Sequence, residues 1–355
     1  MLQLTRRYLR QIDGISLALC AACSVLSVVT LVSIGHNQLG SINKASVQFI
    51  ASALGILLAL IVSTVDYRAL ARAWPLHAVL AWGMVLPTLL LHNVRLGFLT
   101  VGYDAGGTSN YSWYRVGGMT FQPAELAKIS FVLTLALHLN HVRGRVNKPA
   151  NLLALAVHVL LPVLAIHIQG GGAALLLKLR PGLLKGYQAK RIFAVLDPEN
   201  PALADIAYQQ NKGAMAIGTG GLTGTGLWGE HVFVPNSWND FIFSYLANAM
   251  GFVGAVTVLL LLLGISVRIL LAALQSTDAL GRYLCVGIFA ALFWQCIINL
   301  GMNLQVLPVI GVTLPFFSAG GSSVVMVYLC VGLVLAVSRK NRRKKLAVPI
   351  ELEQV

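Results

Sequence analysis

Acidic residues are scarce in this chain: 12 Asp and Glu stand against 26 Lys and Arg in 355 residues, and all charged types together reach 11%. Soluble globular domains carry about 25% charged residues, so that class is excluded. Hydrophobic residues make up 57% of the sequence, with a mean hydropathy of +0.76. Several apolar runs approach the ~20 residues that cross a bilayer as a helix. The composition therefore describes an all-α polytopic membrane protein. Cysteine is sparse too. Cys20 and Cys23 have CxxC spacing but lie inside the first apolar run, without a redox-fold context. Cys285, Cys296 and Cys330 also sit in apolar runs, as buried structural thiols do. The first run follows Arg6, Arg7 and Arg10 and has no convincing cleavage site, so it reads as a retained span, not a signal peptide. His138, His141, His158 and His167 share no metal-ligand spacing on one face, which leaves them interfacial or structural. The glycine-rich "AIGTGGLTGTGLWG" (216–229) lacks the Gly-Lys-Ser/Thr ending of a phosphate loop. Packed turns at the membrane surface explain it better.

What is present is organised by charge. The net charge of +14 gathers beside apolar runs, above all in "SRKNRRKK" (338–345), which places an anchor against anionic lipid rather than a nucleic-acid patch. About eight spans are predicted, at 15–34, 46–65, 75–94, 122–140, 150–168, 241–266, 281–302 and 313–337. With a cytoplasmic N-terminus, the internal segments become "DYRALARAW" (66–74), "NHVRGRVNK" (140–148), the turn between Arg268 and Arg282, and the basic tail 338–355. Each has a Lys/Arg excess, as the positive-inside rule requires. The long outer loop 169–240 breaks the trend with Lys178, Arg180, Lys185, Lys190, Arg191 and Lys212. Outer cations held against the bias suit an anionic substrate; a misplaced loop is the plainer alternative. "GGAALLLKLRPGLL" (171–184) is too short and too charged to span, and reads as re-entrant or interfacial. There is no internal repeat, and residues 1–355 form one membrane domain.

Asp240 is the most informative acid. It closes "VPNSWND" (234–240) and hands over directly to the apolar Phe241-Ile242-Phe243, at a boundary where an ionised group is costly. "FQPAELAKIS" (121–130) starts a helix at Pro123 and sets Glu125 and Lys128 three residues apart on one face. That pair either fixes helix packing or lines a polar cavity.

Six segments in order carry a resemblance: "WYRVGGMTFQPAELAK" (113–128), "YQAKRIFAVLDPEN" (187–200), "AIGTGGLTGTG" (216–226), "NDFIF" (239–243), "NLGM" (299–302) and "LPVIGVTLPFFSAGGSS" (307–323). Over about two thirds of the chain, this series resembles the SEDS family of RodA, FtsW and SpoVE proteins. The resemblance implies a SEDS-type helical bundle in the bacterial inner membrane, with both termini cytoplasmic. It also implies a peptidoglycan glycosyltransferase that polymerises lipid II on the outer face, with a class B penicillin-binding protein as transpeptidase. The family's essential outer-loop aspartate maps onto Asp240, and its Glu and Lys on the fourth span onto Glu125 and Lys128. A carboxylate there suits proton abstraction from a sugar hydroxyl, or a divalent cation such as Mg or Mn. Arg191, Lys190 and Arg115 suit the lipid diphosphate. Trp113, Tyr114 and Trp238 suit sugar faces, with interfacial anchoring an equal reading. Gln122, Asn299 and Ser318 suit a cavity lining, interhelical hydrogen bonding being the simpler role.

The pattern also breaks. "IQGGG" (168–172) replaces a turn that usually carries an acid, Asn248 and Ala249 replace a Glu pair, and Asn236 replaces another Glu. Ser318-Ala319-Gly320-Gly321 stands where the family has Ser-Tyr-Gly-Gly. The family pattern has ten spans, and the stretch between Gly172 and Tyr187 is short by about thirty residues, so that two helices of the pattern are missing. Besides the polymerase, two alternatives fit such a chain: a non-catalytic scaffold that recruits a penicillin-binding protein, and a transporter or polymerase of another lipid-linked glycan.

Overall fold

A computed structural model describes residue 8 and residues 11–104, 111–117, 119–167, 191, 193–194, 200 and 203–347. The chain begins with α1 (Gly14–Ile34), a π-helical turn (Gly35–Leu39), α2 (Asn43–Thr64), the short α3 (Tyr67–Arg72) and α4 (Trp74–Leu90). Four strands follow, β1 (Val94–Leu96), β2 (Leu99–Tyr103), β3 (Trp113–Val116) and β4 (Met119–Phe121), forming one antiparallel sheet in the order β1-β2-β3-β4. Then come α5 (Pro123–His141), α6 (Pro149–His167), α7 (Ala204–Thr219), α8 (Ile242–Leu274), α9 (Ala279–Asn303) and α10 (Gly321–Ala347).

Helices lie at all eight predicted spans. Five segments are long and apolar enough to cross a membrane: Gly14–Leu39, Asn43–Thr64, Ile242–Leu274, Ala279–Asn303 and Gly321–Arg342. Trp74–Leu90 and Pro149–Ala165 are apolar but shorter. In α5, the apolar run is diluted by Glu125, Lys128, His138 and Asn140. The last span starts at Gly321, later than the predicted 313, because Phe316 adopts φ +68° and its carbonyl is held by Gln48 Nε2 at 2.9 Å. The small sheet was not anticipated; its strands of three to five residues are too short to show a clear alternation. Nor was α7, which lies within the predicted outer loop.

The bundle turns bulky apolar side chains such as Ile50, Leu57 and Leu260 outward, and buries small or hydroxylated ones such as Cys23, Ser27, Ala51 and Ala59. This is the packing expected where lipid, rather than water, is the surrounding solvent. Gly55 and Gly332 let α2 and α10 approach closely: a Cβ on Gly55 would lie 2.6 Å from the Tyr328 ring, and one on Gly332 2.9 Å from the Ala59 backbone. The five cysteines are free. His138 and His158 hydrogen-bond each other through their Nδ1 atoms at 2.9 Å, tying α5 to α6.

One end of the bundle is fastened by ion pairs. Asp13 accepts from Arg268 Nη2 at 2.6 Å and lies 3.5 Å from Arg342 Nη2. Asp278 accepts from Arg68 and from the Tyr67 hydroxyl, and also caps α9 through Gly281 N. Lys340 pairs with Asp66 at 3.5 Å, and Arg339 lies over the Tyr8 ring and donates to Ser63 O. The basic tail is therefore not simply a lipid anchor. Arg339, Lys340 and Arg342 turn into the protein and join the last helix to the first three.

Candidate active site

At the opposite end, a chain of local constraints aims the Asp240 loop. Asn236 takes the left-handed conformation at φ +54°, which Asn tolerates better than most residues. Its carbonyl then accepts from Asn239 N at 2.9 Å and from Phe241 N at 3.4 Å, closing a tight turn. The buried Ser237 donates to Gln38 Oε1 at 2.6 Å, fastening the turn to the π-helical segment. The next three carbonyls are each taken by a neighbour. Trp238 O accepts from Ala319 N at 2.8 Å, Asn239 O from Ser318 Oγ at 2.7 Å, and Asp240 O from both Asn299 Nδ2 and Asn303 Nδ2 at 2.9 Å. Asn303 Oδ1 in turn accepts from Ser244 N and Ser244 Oγ, at 3.1 and 2.7 Å, which locks the first turn of α8.

With its backbone held, Asp240 presents a side chain that packing does not satisfy. Its Oδ1 is buried and has no hydrogen-bond partner among the described residues. Its Oδ2 faces Gly311, where φ is +73° and a Cβ would lie 3.7 Å away. A buried carboxylate oxygen left without a donor is costly and stands out for that reason. Burial lifts the Asp240 carboxyl to a pKa of about 6, and the charge of Arg191 pulls the other way. Arg191 is itself placed by a 2.5 Å hydrogen bond from Nη1 to Val309 O, on the same loop as Gly311. At neutral pH the acid is ionised, yet it is more basic than a solvated aspartate.

The predicted residues divide into two groups. Arg191, Asn299 and Ser318 converge on the Asp240 loop, Asn299 and Ser318 through bonds to its backbone carbonyls and Arg191 through its charge. Trp238 is half-buried beside them, with Lys44 Nζ 5.7 Å from its ring centre. No described contact joins the second group to Asp240. Glu125 and Lys128 form a 2.8 Å ion pair within α5, Gln122 occupies the cap position of that helix, and Trp113 and Arg115 belong to β3. Arg115 lies over the Tyr103 ring, 5.0 Å from its centre, and Tyr114 is buried with its hydroxyl on Met84 O. Lys190 lies outside the described residues.

Three contributors escaped the sequence reading: Asn303, Gln38 and Gln48. Asn299 and Asn303, at i and i+4 inside an apolar span, were a readable signal, since polar side chains there need partners. The glycine-rich stretch is structural, as expected. α8 kinks at Gly251 (φ +65°), and the freed groups are taken over by that stretch. Thr225 N and Gly226 N donate to Asn248 O and Ala249 O, while Phe252 N and Val253 N donate to Gly221 O and Leu222 O. Asn248 is buried and donates to Ala216 O and Thr219 Oγ1 at 3.0 and 2.9 Å.

A family profile described as cell cycle protein, covering FtsW, RodA and SpoVE, matches residues 10–180 and 172–343. The two matches overlap at residues 172–180. A probable peptidoglycan glycosyltransferase FtsW from Geobacter metallireducens is 31% identical over 331 residues, covering 83% of this chain and 84% of the relative. Stage V sporulation protein E from Bacillus subtilis is 28% identical over 328 residues, covering 83% and 87%. Among solved structures, the rod shape determining protein RodA of Thermus thermophilus superposes with a TM-score of 0.63 at 28% identity, over 93% of this chain and 97% of that one. A chain from a peptidoglycan synthase complex that coordinates polymerization and crosslinking gives 0.66 at 27%, over 93% and 98%.

Proposed function

The chain belongs to the FtsW/RodA/SpoVE family of cell cycle proteins, and from that premise we propose a peptidoglycan glycosyltransferase whose chemistry is centred on Asp240. The substrate is lipid II, the protein is multi-pass in the bacterial inner membrane, and its partner is a class B penicillin-binding protein. The charge distribution supports the orientation. Arg68, Arg268, Arg339, Lys340 and Arg342 gather at the end remote from Asp240, a bias that supports a cytoplasmic position for that end and an external one for the Asp240 end.

The observation that carries the reading is the buried, unpartnered Oδ1 of a carboxylate whose loop is held at three successive carbonyls. In glycan extension, a sugar hydroxyl attacks the anomeric carbon of the donor. The new C–O bond forms as the bond to the polyprenyl diphosphate breaks. Asp240 accepts the hydroxyl proton, and its raised pKa suits that task near neutral pH. Arg191, beside it, offsets the negative charge of the departing diphosphate. Among the described residues no cluster of three or more His, Cys, Asp or Glu could hold a metal. Asp240 would be the protein ligand of a divalent cation whose remaining ligands were substrate oxygens and water, an arrangement that suits Mg²⁺ and would supply Lewis-acid stabilisation. The unpartnered Oδ1 fits that role.

The test is polymerisation of lipid II by the purified protein with its cognate transpeptidase. Asp240→Asn should lower the rate by at least ~10²-fold, the usual contribution of a positioned acid or base. Glycan strands made by this variant at the unsubstituted rate would remove Asp240 from the chemistry. Restoration of cell shape by Asp240→Asn would favour the scaffold instead.

A further inference from the structure

The sheet β1–β4 has two unlike faces. Across its strands, Arg95, Thr100, Arg115 and Thr120 stand in one row. The rows on either side run Val94, Val101, Tyr114, Phe121 and Leu96, Leu99, Val116. Because side chains alternate along a strand, the Arg/Thr row projects from one face and the two apolar rows from the other. The apolar face is covered only at its inner row, where Val101 and Tyr114 are buried. At the outer row, Leu96 is 56% and Val116 39% exposed, and Phe98 in the β1–β2 turn is 80% exposed. The two hairpin tips are joined side by side, Gly117 N donating to Phe98 O at 3.2 Å. Three large apolar side chains therefore form one patch.

The depth of the sheet indicates what covers that patch. α4, at 17 residues, is about 25 Å long, less than the ~30 Å hydrocarbon thickness. From the apolar face, the Tyr114 hydroxyl reaches Met84 O at 3.0 Å. Met84 precedes the last residue of α4 by six positions, about 9 Å along the axis. The apolar face thus looks toward the membrane level of α4, and its exposed row continues the lipid-facing surface that Leu86 and Leu90 begin. Open sheet edges are not tolerated in hydrocarbon, so the sheet must lie flat at its boundary.

We infer that this sheet is a monotopic element set into the leaflet on the Asp240 side, with Leu96, Phe98 and Val116 among the acyl chains and Arg95 and Arg115 level with the lipid phosphates. It completes on that side the span that α4 leaves short. Arg115 then serves headgroups and not the diphosphate beside Asp240, which agrees with its contacts to Gly117 O and to the Tyr103 hydroxyl and ring, all within the sheet.

The experiment is spin-label accessibility in nanodiscs of phosphatidylethanolamine and phosphatidylglycerol, without substrate, so its outcome is independent of the catalytic reading. Nitroxides are attached at Phe98→Cys and Val116→Cys for the apolar face, and at Arg95→Cys and Thr120→Cys for the other. The unsubstituted protein sets the background from native thiols. All four positions are on exposed turns or strands, so the fold should tolerate them. The ratio of oxygen to aqueous nickel-chelate collisions should be several-fold higher at 98 and 116 than at 95 and 120. Equal nickel access on both faces would place the patch in water. Exclusion of both reagents at 98 and 116 would place it against protein, a partner or a second copy. Either result overturns the inference.

Discussion

In the proposed mechanism Asp240 is the base, and its neighbours hold its backbone while Oδ1 has no hydrogen-bond partner among the described residues. Arg191 is the exception, and its charge lowers the Asp240 pKa against the effect of burial. The acid limb of the pH–rate profile should therefore fall near pH 6, with activity lost below it as the base is protonated. Arg191→Gln removes the opposing charge and should move that limb to higher pH, which initial rates between pH 5 and 8 would reveal. An unchanged limb in this variant would mean the two groups do not interact. Asn303 acts through position. Asn303→Ala leaves Asp240 O with Asn299 alone and deprives both Ser244 donors of their acceptor. The expected cost is about 1–3 kcal/mol of stability per orphaned buried group, together with a fall in kcat larger than any change in KM. Thermal melting and steady-state rates would separate the two effects.

Among the elements, α8 and the glycine-rich stretch before it behave as one unit. The kink at Gly251 breaks the helical hydrogen bonds, and the stretch from Gly221 to Gly226 replaces them. The glycines there are not equivalent. At Gly224 (φ +83°), a Cβ would lie 2.2 Å from Ala249 O, whereas at Gly226 (φ +86°) it would meet nothing within 4 Å. Gly226→Ala should therefore cost only the ~1–2 kcal/mol of a left-handed alanine. Gly224→Ala should also displace the α8 kink and lower the melting temperature far more. Equal melting temperatures for the two variants would mean that the stretch is not packed against the kink. The sequence alone marked this segment as turns, correctly, because only glycine is so concentrated where backbones meet. It did not mark the sheet, since strands this short carry too few side chains to declare a period, and the pairing that makes them strands is a tertiary event.

For the whole molecule, stability should respond to acid in two opposing phases. Burial would raise the pKa of Asp13, but hydrogen bonds from Arg268 and Ser16 and the charge of Arg268 hold it below its ordinary value. Asp278 is likewise lowered, against burial, by Tyr67, Gly281 N and Arg68. Both contribute stability that is present above the ordinary carboxylate pKa of ~3.9 and lost as pH falls through their lowered values. Asp240 has the opposite sign. With a folded pKa of about 6, it binds a proton on the way down that the unfolded chain does not, so acidification from about pH 6 to 4 stabilises the fold. Relative to Asp240→Asn, the unsubstituted protein should therefore gain melting temperature through that window. A difference between the two that stays constant from pH 6 to pH 4 would contradict the buried state of this acid.

Helices at the eight predicted positions, the acid at the end of one of them and the basic bias of the other end were all legible in the sequence. Each depends on local properties: apolar run length, one Pro or Asn cluster, and the cost of placing charge in hydrocarbon. What only the tertiary structure decided is which groups meet. Arg339, Lys340 and Arg342 reach Tyr8, Asp66 and Asp13 more than 270 positions away, two asparagines of α9 hold the Asp240 carbonyl, and Arg191 reaches that acid while Arg115 does not. Such pairings come from helices packed face to face at distances no periodicity encodes, and they fix the surroundings of the lone carboxylate at the membrane boundary.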